Sequence, residues 1–315
     1  MPKLYRKRTI LAKIETTVGT DSSPVASGGT SNAIKVRELT IEPIQSDEVT
    51  RDLVRGYLGN FETLLANTRV QITAECELAG SGTAGTAPNY GPLLKSCGFS
   101  ETIASNTSVT YAPVSSAMSS CTIHYNTDGI LHKITNCRGT MSIACETGAI
   151  PTISFTMTGI FDATKITDTA VPTTAFVHQA DPLIFKQGNT SGFQIHAHSG
   201  ALQSWSLDMN NEVVYRELVG GTKTVELLDR APSGSLSIEA PTLATKNFFT
   251  AATGSATGNN LFLHGTTAGN KVQVSCPQSD IGAVTYADND GVVMLEIPYT
   301  AVPNTGNDEV SIVYT

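Results

Sequence analysis

The sequence is poor in charged residues, and the charges it has are mostly acidic. Only 15% of its 315 residues are Asp, Glu, Lys or Arg, whereas a typical soluble domain has about 25%. The formal net charge is −8, so the chain lacks the excess of cations with which nucleic-acid-binding proteins neutralise phosphates. We expect a surface rich in Ser, Thr, Ala and Gly that is suited to contact with other copies of the chain rather than to DNA binding.

Long hydrophobic runs are also missing. The basic start of the chain leads into the short apolar stretch 9–12, which Lys13 interrupts, so it does not resemble a signal peptide. The apolar run 292–295 ends at Glu296, far short of the length that crosses a bilayer. The sequence therefore predicts a soluble protein that is made in the cytoplasm and has no membrane partner.

Residue patterns typical of catalytic or metal sites are absent as well. His196 and His198 would share one face of a strand, but a metal site needs at least a third ligand, and none is nearby in the sequence. Neither a Gly-x-Ser-x-Gly motif nor a phosphate-binding glycine loop occurs. We predict no enzyme activity, no cofactor and no metal. Six cysteines without Cys-x-x-Cys spacing are expected to be small buried hydrophobic residues: Cys76, Cys97, Cys121, Cys137, Cys145 and Cys276.

The sequence does contain many segments in which apolar and polar residues alternate, a pattern typical of half-buried β-strands. Clear examples are 70–78, 153–158 and 236–239. Short helices are predicted at 91–97, which has Pro92 in its first turn, and at 243–252. The fold class is therefore all-β with small helices. Turn residues of the kind that close β-hairpins occur at 126–129, 147–148, 267–270 and 288–291.

The two halves of the chain carry the same motif, Arg-[Asp/Glu]-Leu-Val, at 51–54 and 216–219. The strands, helix and hairpin that follow it keep the same order in both halves, which indicates a tandem duplication. We divide the chain into an N-terminal arm and assembly loop at 1–36, a first domain at 37–175 and a second domain at 176–315.

The charged residues that recur in both halves could have either of two roles. Paired carboxylates can serve general acid–base catalysis, but charges repeated in duplicated domains favour ion pairs between subunits or an exposed acidic face. We predict that Trp205, the one tryptophan, packs in a core or an interface. The candidate intersubunit contacts are Arg51, Asp52, Arg216 and Glu217, and the candidate acidic-face residues are Glu75, Glu77 and Glu239.

Two long polar segments, 16–34 and 79–90, contain mostly Gly, Ser, Thr and Ala. Loops of this length on a compact β domain are uncommon unless they are functional or disordered. We expect both to become ordered on a neighbouring subunit, so that their deletion leaves a folded chain that does not polymerise.

Several segments resemble the tail tube (major tail) proteins of long-tailed bacteriophages, and together they cover almost the whole chain. No single motif is diagnostic, but their order is. They are Leu-Ala-Lys-Ile-Glu at 11–15 followed by Gly-Thr-Asp at 19–21, Leu-Thr-Ile-Glu-Pro at 39–43, the Gly-rich segment 77–88, Ser-Val-Thr-Tyr-Ala-Pro-Val-Ser at 108–115, Asn-Glu-Val-Val-Tyr-Arg at 211–216, and 308–314.

The resemblance implies β-sandwich or barrel-like domains, each with a short helix and a long projecting hairpin or loop. Such domains form rings that stack into a hollow virion tube, whose inner wall is β-sheet joined edge to edge. The implied partners are the chain itself, the tape measure protein, the tail terminator and distal tail proteins, while DNA passes without specific binding. Combined with the duplication, it implies three chains per pseudo-sixfold ring and an acidic lumen with candidates Glu75, Glu77 and Glu239.

Three alternatives remain open. A type VI secretion tube subunit shares the architecture but is about half as long, and a duplicated chain disfavours it. A secreted β-sandwich adhesin or carbohydrate-binding module would have a signal peptide and aromatic clusters, and aromatic residues make up only 6% of this chain. An enzyme would need a convergent catalytic site. Self-assembly into rings or filaments under the electron microscope would distinguish a tube subunit from all three.

Overall fold

A computed structural model describes residues 2–254 and 256–315 of the chain. In this part of the chain nearly all regular structure is antiparallel β-sheet with two short α-helices, so the predicted all-β class is confirmed. The described strands of a single chain do not close into a barrel. No helix among the described residues is both long and apolar enough to cross a membrane.

The first half of the chain contributes nine strands and one helix to the described structure. Strand β1 lies within the segment predicted to be an N-terminal arm, and it pairs with β6 inside the first half. The elements are β1 Arg8–Ile14, β2 Glu38–Thr50, β3 Thr63–Glu77, α1 Gly91–Ser96, β4 Phe99–Ala104, β5 Ser108–Pro113, β6 Cys121–Thr127, β7 Ile130–Glu146, β8 Thr152–Ile160, a 3-10 turn Ala163–Lys165 and β9 Ile166–Asp168.

The second half repeats this succession of hairpins with shorter strands. Its helix begins at Phe248, five residues later than predicted, because Asn247 caps it by accepting the Thr250 N–H at 3.1 Å. The elements are β10 Thr190–Ile195, β11 Leu202–Asp208, β12 Glu212–Arg216, β13 Thr224–Asp229, β14 Ser233–Glu239, α2 Phe248–Thr253, β15 Gly258–His264, β16 Val272–Ile281, β17 Thr285–Asn289, β18 Val292–Ala301 and β19 Ser311–Tyr314.

One long sheet, called here the main sheet, runs through both halves. Its strands lie in the order β2-β3-β8-β7-β11-β14-β18-β17. The halves meet where Trp205 of β11 pairs with Cys145 of β7. A second layer, β10-β15-β16-β19-β5-β4, packs behind the main sheet. The ring of Phe262 in this layer lies 4.9 Å from the ring of Trp205, so one hydrophobic core joins the layers.

The main sheet repeats a four-strand order. The first four strands are the two strands of the β2–β3 hairpin followed by β8 and β7. The next four are β11 and β14, which flank the β12–β13 hairpin, followed by β18 and β17. Each half therefore contributes the same four elements in the same order, and the last strand of the first half joins the first strand of the second.

The predicted hairpin turns occur where the sequence placed them. Asp128 and Gly129 have positive φ values of 39° and 95° between β6 and β7, and Asp290 and Gly291 have values of 52° and 86° between β17 and β18. Two-residue turns with both central residues in this region match the twist of antiparallel strands, and Asp-Gly is a favoured sequence for them. Glycine is needed at the second position because side chains are strained there.

Loop 79–90 lies against the second half of its own chain, contrary to the expectation that it reaches a neighbour. The Gly80 N–H donates to the Asn270 side-chain oxygen at 2.8 Å, and the Gly82 N–H donates to the Gly269 carbonyl at 2.9 Å. A Cβ on Gly269 would come within 2.5 Å of Gly82. The glycines allow this close approach of two backbones, so deleting the loop would remove contacts that hold the halves together.

Candidate assembly surfaces

One face of the main sheet packs on the second layer, and the other, called here the open face, is exposed. At the centre of the open face lie Ser142, Ala144, Ser204 and Ser206, which alternate with buried residues of β7 and β11. Small hydroxyl and methyl groups give this centre a smooth surface. Acidic side chains surround it, and together they create a negative field. They are Glu38, Glu42, Glu75, Glu77, Glu146, Asp208, Glu239 and Glu296.

The three acidic residues predicted for a lumen all lie on the open face. Glu75 and Glu77 are half-buried on β3 and alternate with buried core residues, and Glu239 is exposed at the end of β14. Arg37 lies 3.7 Å from Glu75 and partly offsets its charge. The sequence reasoning missed the other open-face acids, although alternation along β2 would have placed Glu38 beside Glu75.

Both outer edges of the main sheet lack a partner strand in the described part of the chain. Strand β2 pairs on one side with β3, and β17 pairs on one side with β18. Edge strands with open N–H and C=O groups are templates for pairing with another chain. On β17 the side chain of Tyr286 is 67% exposed, with its ring 5.6 Å from that of Phe249. Such an exposed aromatic edge is suited to burial by a neighbour.

Two hairpins project beyond the main sheet. Arm 1, residues 43–68, is the outer part of β2 and β3, where these strands pair with each other but not with β8. Arm 2, residues 211–230, contains β12 and β13, which form a separate two-stranded sheet. The two copies of the Arg-[Asp/Glu]-Leu-Val motif occupy the corresponding place in each arm, where the first strand ends and the tip begins.

The four candidate intersubunit residues therefore lie at arm tips. The Arg51 guanidinium pairs with Glu62 of its own arm at 2.8 Å. The Glu217 carboxylate pairs with Lys223 at 3.0 Å and accepts a hydrogen bond from the Tyr215 hydroxyl at 2.9 Å. These bonds to Lys223 and Tyr215 lower the pKa of Glu217. Exposed pairs of this kind contribute little to chain stability. Asp52 and Arg216 are exposed at the same tips.

Arm 2 packs on the first half of its own chain. The Arg138 guanidinium on β7 forms an ion pair with Glu226 and donates to the carbonyl of Val225, whose side chain is fully buried. The side chain of Asn211 donates to the Gly139 carbonyl at 2.9 Å. An ion pair, hydrogen bonds and a buried valine side chain therefore fix the position of arm 2 on the first half.

Arm 1 is more exposed, although it corresponds to arm 2 in position and motif. Isolated apolar side chains on a surface are ordinary, but a group of them on one projecting hairpin indicates a contact site. The large apolar side chains that arm 1 exposes are Ile44, Val49, Leu53, Val54, Tyr57, Leu58, Leu64 and Leu65. Sequence reasoning did not identify this surface, because burial cannot be read from the arm's sequence alone.

The structure corrects the predicted placement of two histidines. His196 and Ala197 have φ values of 48° and 62°, so they form a left-handed turn after β10 and not a strand. The His196 ring nitrogen lies 2.8 Å from the Ser279 carbonyl, and the His198 ring packs against Phe248. Burial lowers the pKa of both imidazoles. Among the described residues no three His, Cys, Asp or Glu side chains converge as metal ligands.

The six cysteines are free and buried, as predicted. Burial raises the pKa of the thiols of Cys76, Cys97, Cys137, Cys145 and Cys276, to about 12 for Cys276, so these thiols remain protonated and unreactive at neutral pH. Trp205 is also buried, as expected, and its indole N–H donates to Asn260 at 3.0 Å. These residues belong to the hydrophobic core.

Among the described residues, fold and surfaces together define an all-β building block with an acidic open face, two unpaired edges of the main sheet and two projecting arms. Residues 6–301 match the family of phage tail tube proteins, and since this covers most of the sequence, the chain belongs to that family. Its role is structural: it is a virion component that self-assembles into the tail tube and contacts other tail proteins. The family is generally non-enzymatic. A comparison with curated proteins found no match.

Proposed function

We propose that three copies of the chain form a ring with approximate sixfold symmetry, and that these rings stack into the tail tube. The observation that carries this proposal is the repeated four-strand order of the main sheet. Each half fills one of six positions, as expected if domains 37–175 and 176–315 arose by duplication, with segment 1–36 preceding them. Head-to-tail contacts that close after a full turn produce such rings.

The number of strands gives the size of the tube. Three chains with eight main-sheet strands each contribute 24 strands to a closed barrel. With strands about 4.8 Å apart and tilted by about 40°, such a barrel has a backbone diameter of about 48 Å. Inward side chains reach about 5 Å from the backbone, which leaves a bore of roughly 38 Å. This bore admits duplex DNA without tight contact.

The open face lines the lumen in this arrangement. Its carboxylates, including Glu75, Glu77 and Glu239, face the phosphates of the passing DNA, and an acidic wall lacks the cations whose binding to phosphate would release counterions and retain the duplex. The small hydroxyl side chains at its centre offer no base-specific contact. DNA therefore passes without specific binding.

The remaining contacts follow from the tube itself. The tape measure protein occupies the lumen before DNA does, and the tail terminator and distal tail proteins cap the two ends. Assembly takes place in the host cytoplasm. Arg51, Asp52, Arg216 and Glu217 at the arm tips make contacts between subunits, since both arms project from the main sheet.

Polymerisation of the purified chain tests this function. Electron microscopy should show hollow tubes. The mass per length from scanning transmission microscopy, multiplied by the axial spacing of the rings, should give ~100 kDa per ring. This is three times the chain mass of 33.2 kDa. A ring mass near twice this value would require six chains and would contradict the proposal. Monomeric protein at every concentration would contradict the tube role itself.

A further inference from the structure

The junction between the two halves shows how one chain joins the next. We propose that β17 of one chain pairs antiparallel with β2 of a second copy, in the register in which β7 pairs with β11 inside the chain. This inference rests on the proposed ring, because β7 and β17 are each the fourth strand of their half and β2 and β11 are each the first.

A shared bulge fixes which residues correspond. The hairpins β6–β7 and β15–β16 each contain a register shift, which ends at Cys137 in the first half and at Ser279 in the second. The next residue of each strand pairs within the main sheet: Arg138 lies opposite Thr158 of β8, and Asp280 lies opposite Thr300 of β18. Thr158 and Thr300 therefore occupy equivalent positions. Bulges of this kind are specific features of a strand pair, so they are suitable markers of register.

The first strands are aligned by following the ladders from these two threonines. The row of directly paired residues that contains Thr158 continues across β3 to Glu42 on β2. The row that contains Thr300 continues across β14 to Asp208 on β11. Glu42 therefore corresponds to Asp208, and both are acidic open-face residues.

The fourth strands are aligned in the same way. Four residues before Thr158, Ser154 lies opposite Ser142 of β7. Four residues before Thr300, Glu296 lies opposite Thr285 of β17. Thr285 therefore corresponds to Ser142.

Inside the chain, Ser142 of β7 pairs with Asp208 of β11. The equivalent pair between chains is Thr285 with Glu42 of the next copy. Antiparallel pairing then sets Tyr286 opposite Ile41 and Ala287 opposite Thr40.

This register agrees with the chemistry of the two edges. Tyr286 is 67% exposed and Ile41 is half-buried in the single chain. The residues that occupy the corresponding places at the internal junction, Ile143 and Leu207, are each only 1% exposed. Pairing would bury the tyrosine against the isoleucine and place no like charges opposite each other. A shift by one residue would turn Tyr286 to the opposite face.

Disulfide trapping tests the register. The double variant Thr40→Cys/Ala287→Cys places two thiols on the open face at directly opposed positions, within the reach of a disulfide. The matched control, Thr40→Cys/Thr285→Cys, uses the same strands and face, but its two residues are diagonal neighbours about 7–8 Å apart, beyond the Cα separation that a disulfide usually spans. The six native cysteines are buried and should not react. Assembled tubes would be oxidised and analysed on a non-reducing denaturing gel, with electron microscopy of the same samples.

The expected result is a ladder that ends at covalent trimers for Thr40→Cys/Ala287→Cys, and monomers for the control. Intact tubes without crosslinks, or crosslinks in the control, would overturn the register while leaving the tube function in place. Covalent hexamers would retain the strand pairing and overturn the three-chain ring. If this double variant alone fails to form tubes, Glu42→Cys/Thr285→Cys tests the same register, and its failure to crosslink in intact tubes would overturn it.

Discussion

Replacing the valines at the two arm tips should weaken assembly without weakening the chain. Val54 and Val219 hold the same position in the repeated motif, and both are fully exposed in the single chain. Exposed surface substitutions change the free energy of unfolding by no more than about 0.5 kcal/mol. Burial of a valine side chain at a subunit contact contributes about 1.5–3 kcal/mol. We therefore expect Val54→Ser to weaken each contact by about 1.5 kcal/mol, since serine retains part of the packing.

A loss of about 1.5 kcal/mol corresponds to a roughly tenfold weaker subunit contact, and hence to a roughly tenfold higher critical concentration for polymerisation. Light scattering and sedimentation of tubes at increasing protein concentration would measure it. Val219→Ser should have a similar effect, because the two arms occupy equivalent positions in a pseudo-sixfold ring. Ile103→Ser on β4, an apolar side chain that is 54% exposed away from the arms, is the matched control. Unchanged critical concentrations for both valine variants, or an equal effect of the control, would show that the arm tips do not lie at a subunit contact.

Three further predictions concern stability and the lumen. Glu15→Ala should lower the free energy of unfolding by about 3 kcal/mol in denaturant titrations, because the buried Glu15 carboxylate accepts hydrogen bonds from two backbone N–H groups and two hydroxyls. The control is Glu38→Ala, which removes an exposed carboxylate. Equal effects of the two variants would contradict a stabilising role of Glu15. Burial lowers the pKa of five histidines below the ordinary 6.5, so these histidines bind protons at a higher pH in the unfolded chain than in the folded chain. Calorimetry should therefore show a melting temperature that falls as the pH drops below about 6.5. A melting temperature that rises over this range would contradict the lowered pKa of these histidines. Tubes that carry lysine at the three lumen candidates should co-sediment with duplex DNA at low salt and release it at high salt. Wild-type tubes should retain no DNA. Equal retention by both kinds of tube would count against an acidic lumen wall.

Local sequence patterns predicted the strands and turns, because alternation and turn chemistry act over a few residues. Segment 70–78 lies almost entirely in β3, and the turn at Asp128 and Gly129 has the backbone conformation that its sequence favours. The first helix, 91–97, lies within one residue of α1. The second helix was predicted to begin too early, because Leu243 is exposed and the cap is at Asn247.

Contacts between distant segments could not be predicted in this way. Loop 79–90 looked free because it is polar and rich in glycine, but those glycines allow it to approach the backbone of the other half. The pairing of β7 with β11 depends on edges that no local pattern identifies. Likewise, the acidic residues predicted for the lumen lie on the open face by alternation, whereas the apolar surface of arm 1 is evident only from its exposure.

A reconstruction of the assembled tube at a resolution that separates β-strands would show how many chains form a ring and which strands line the lumen. We expect three chains per ring and a lumen wall of 24 strands, in which β17 of each chain lies beside β2 of the next and the open face points inward. Six chains per ring, or a lumen wall to which only one half of each chain contributes, would contradict it.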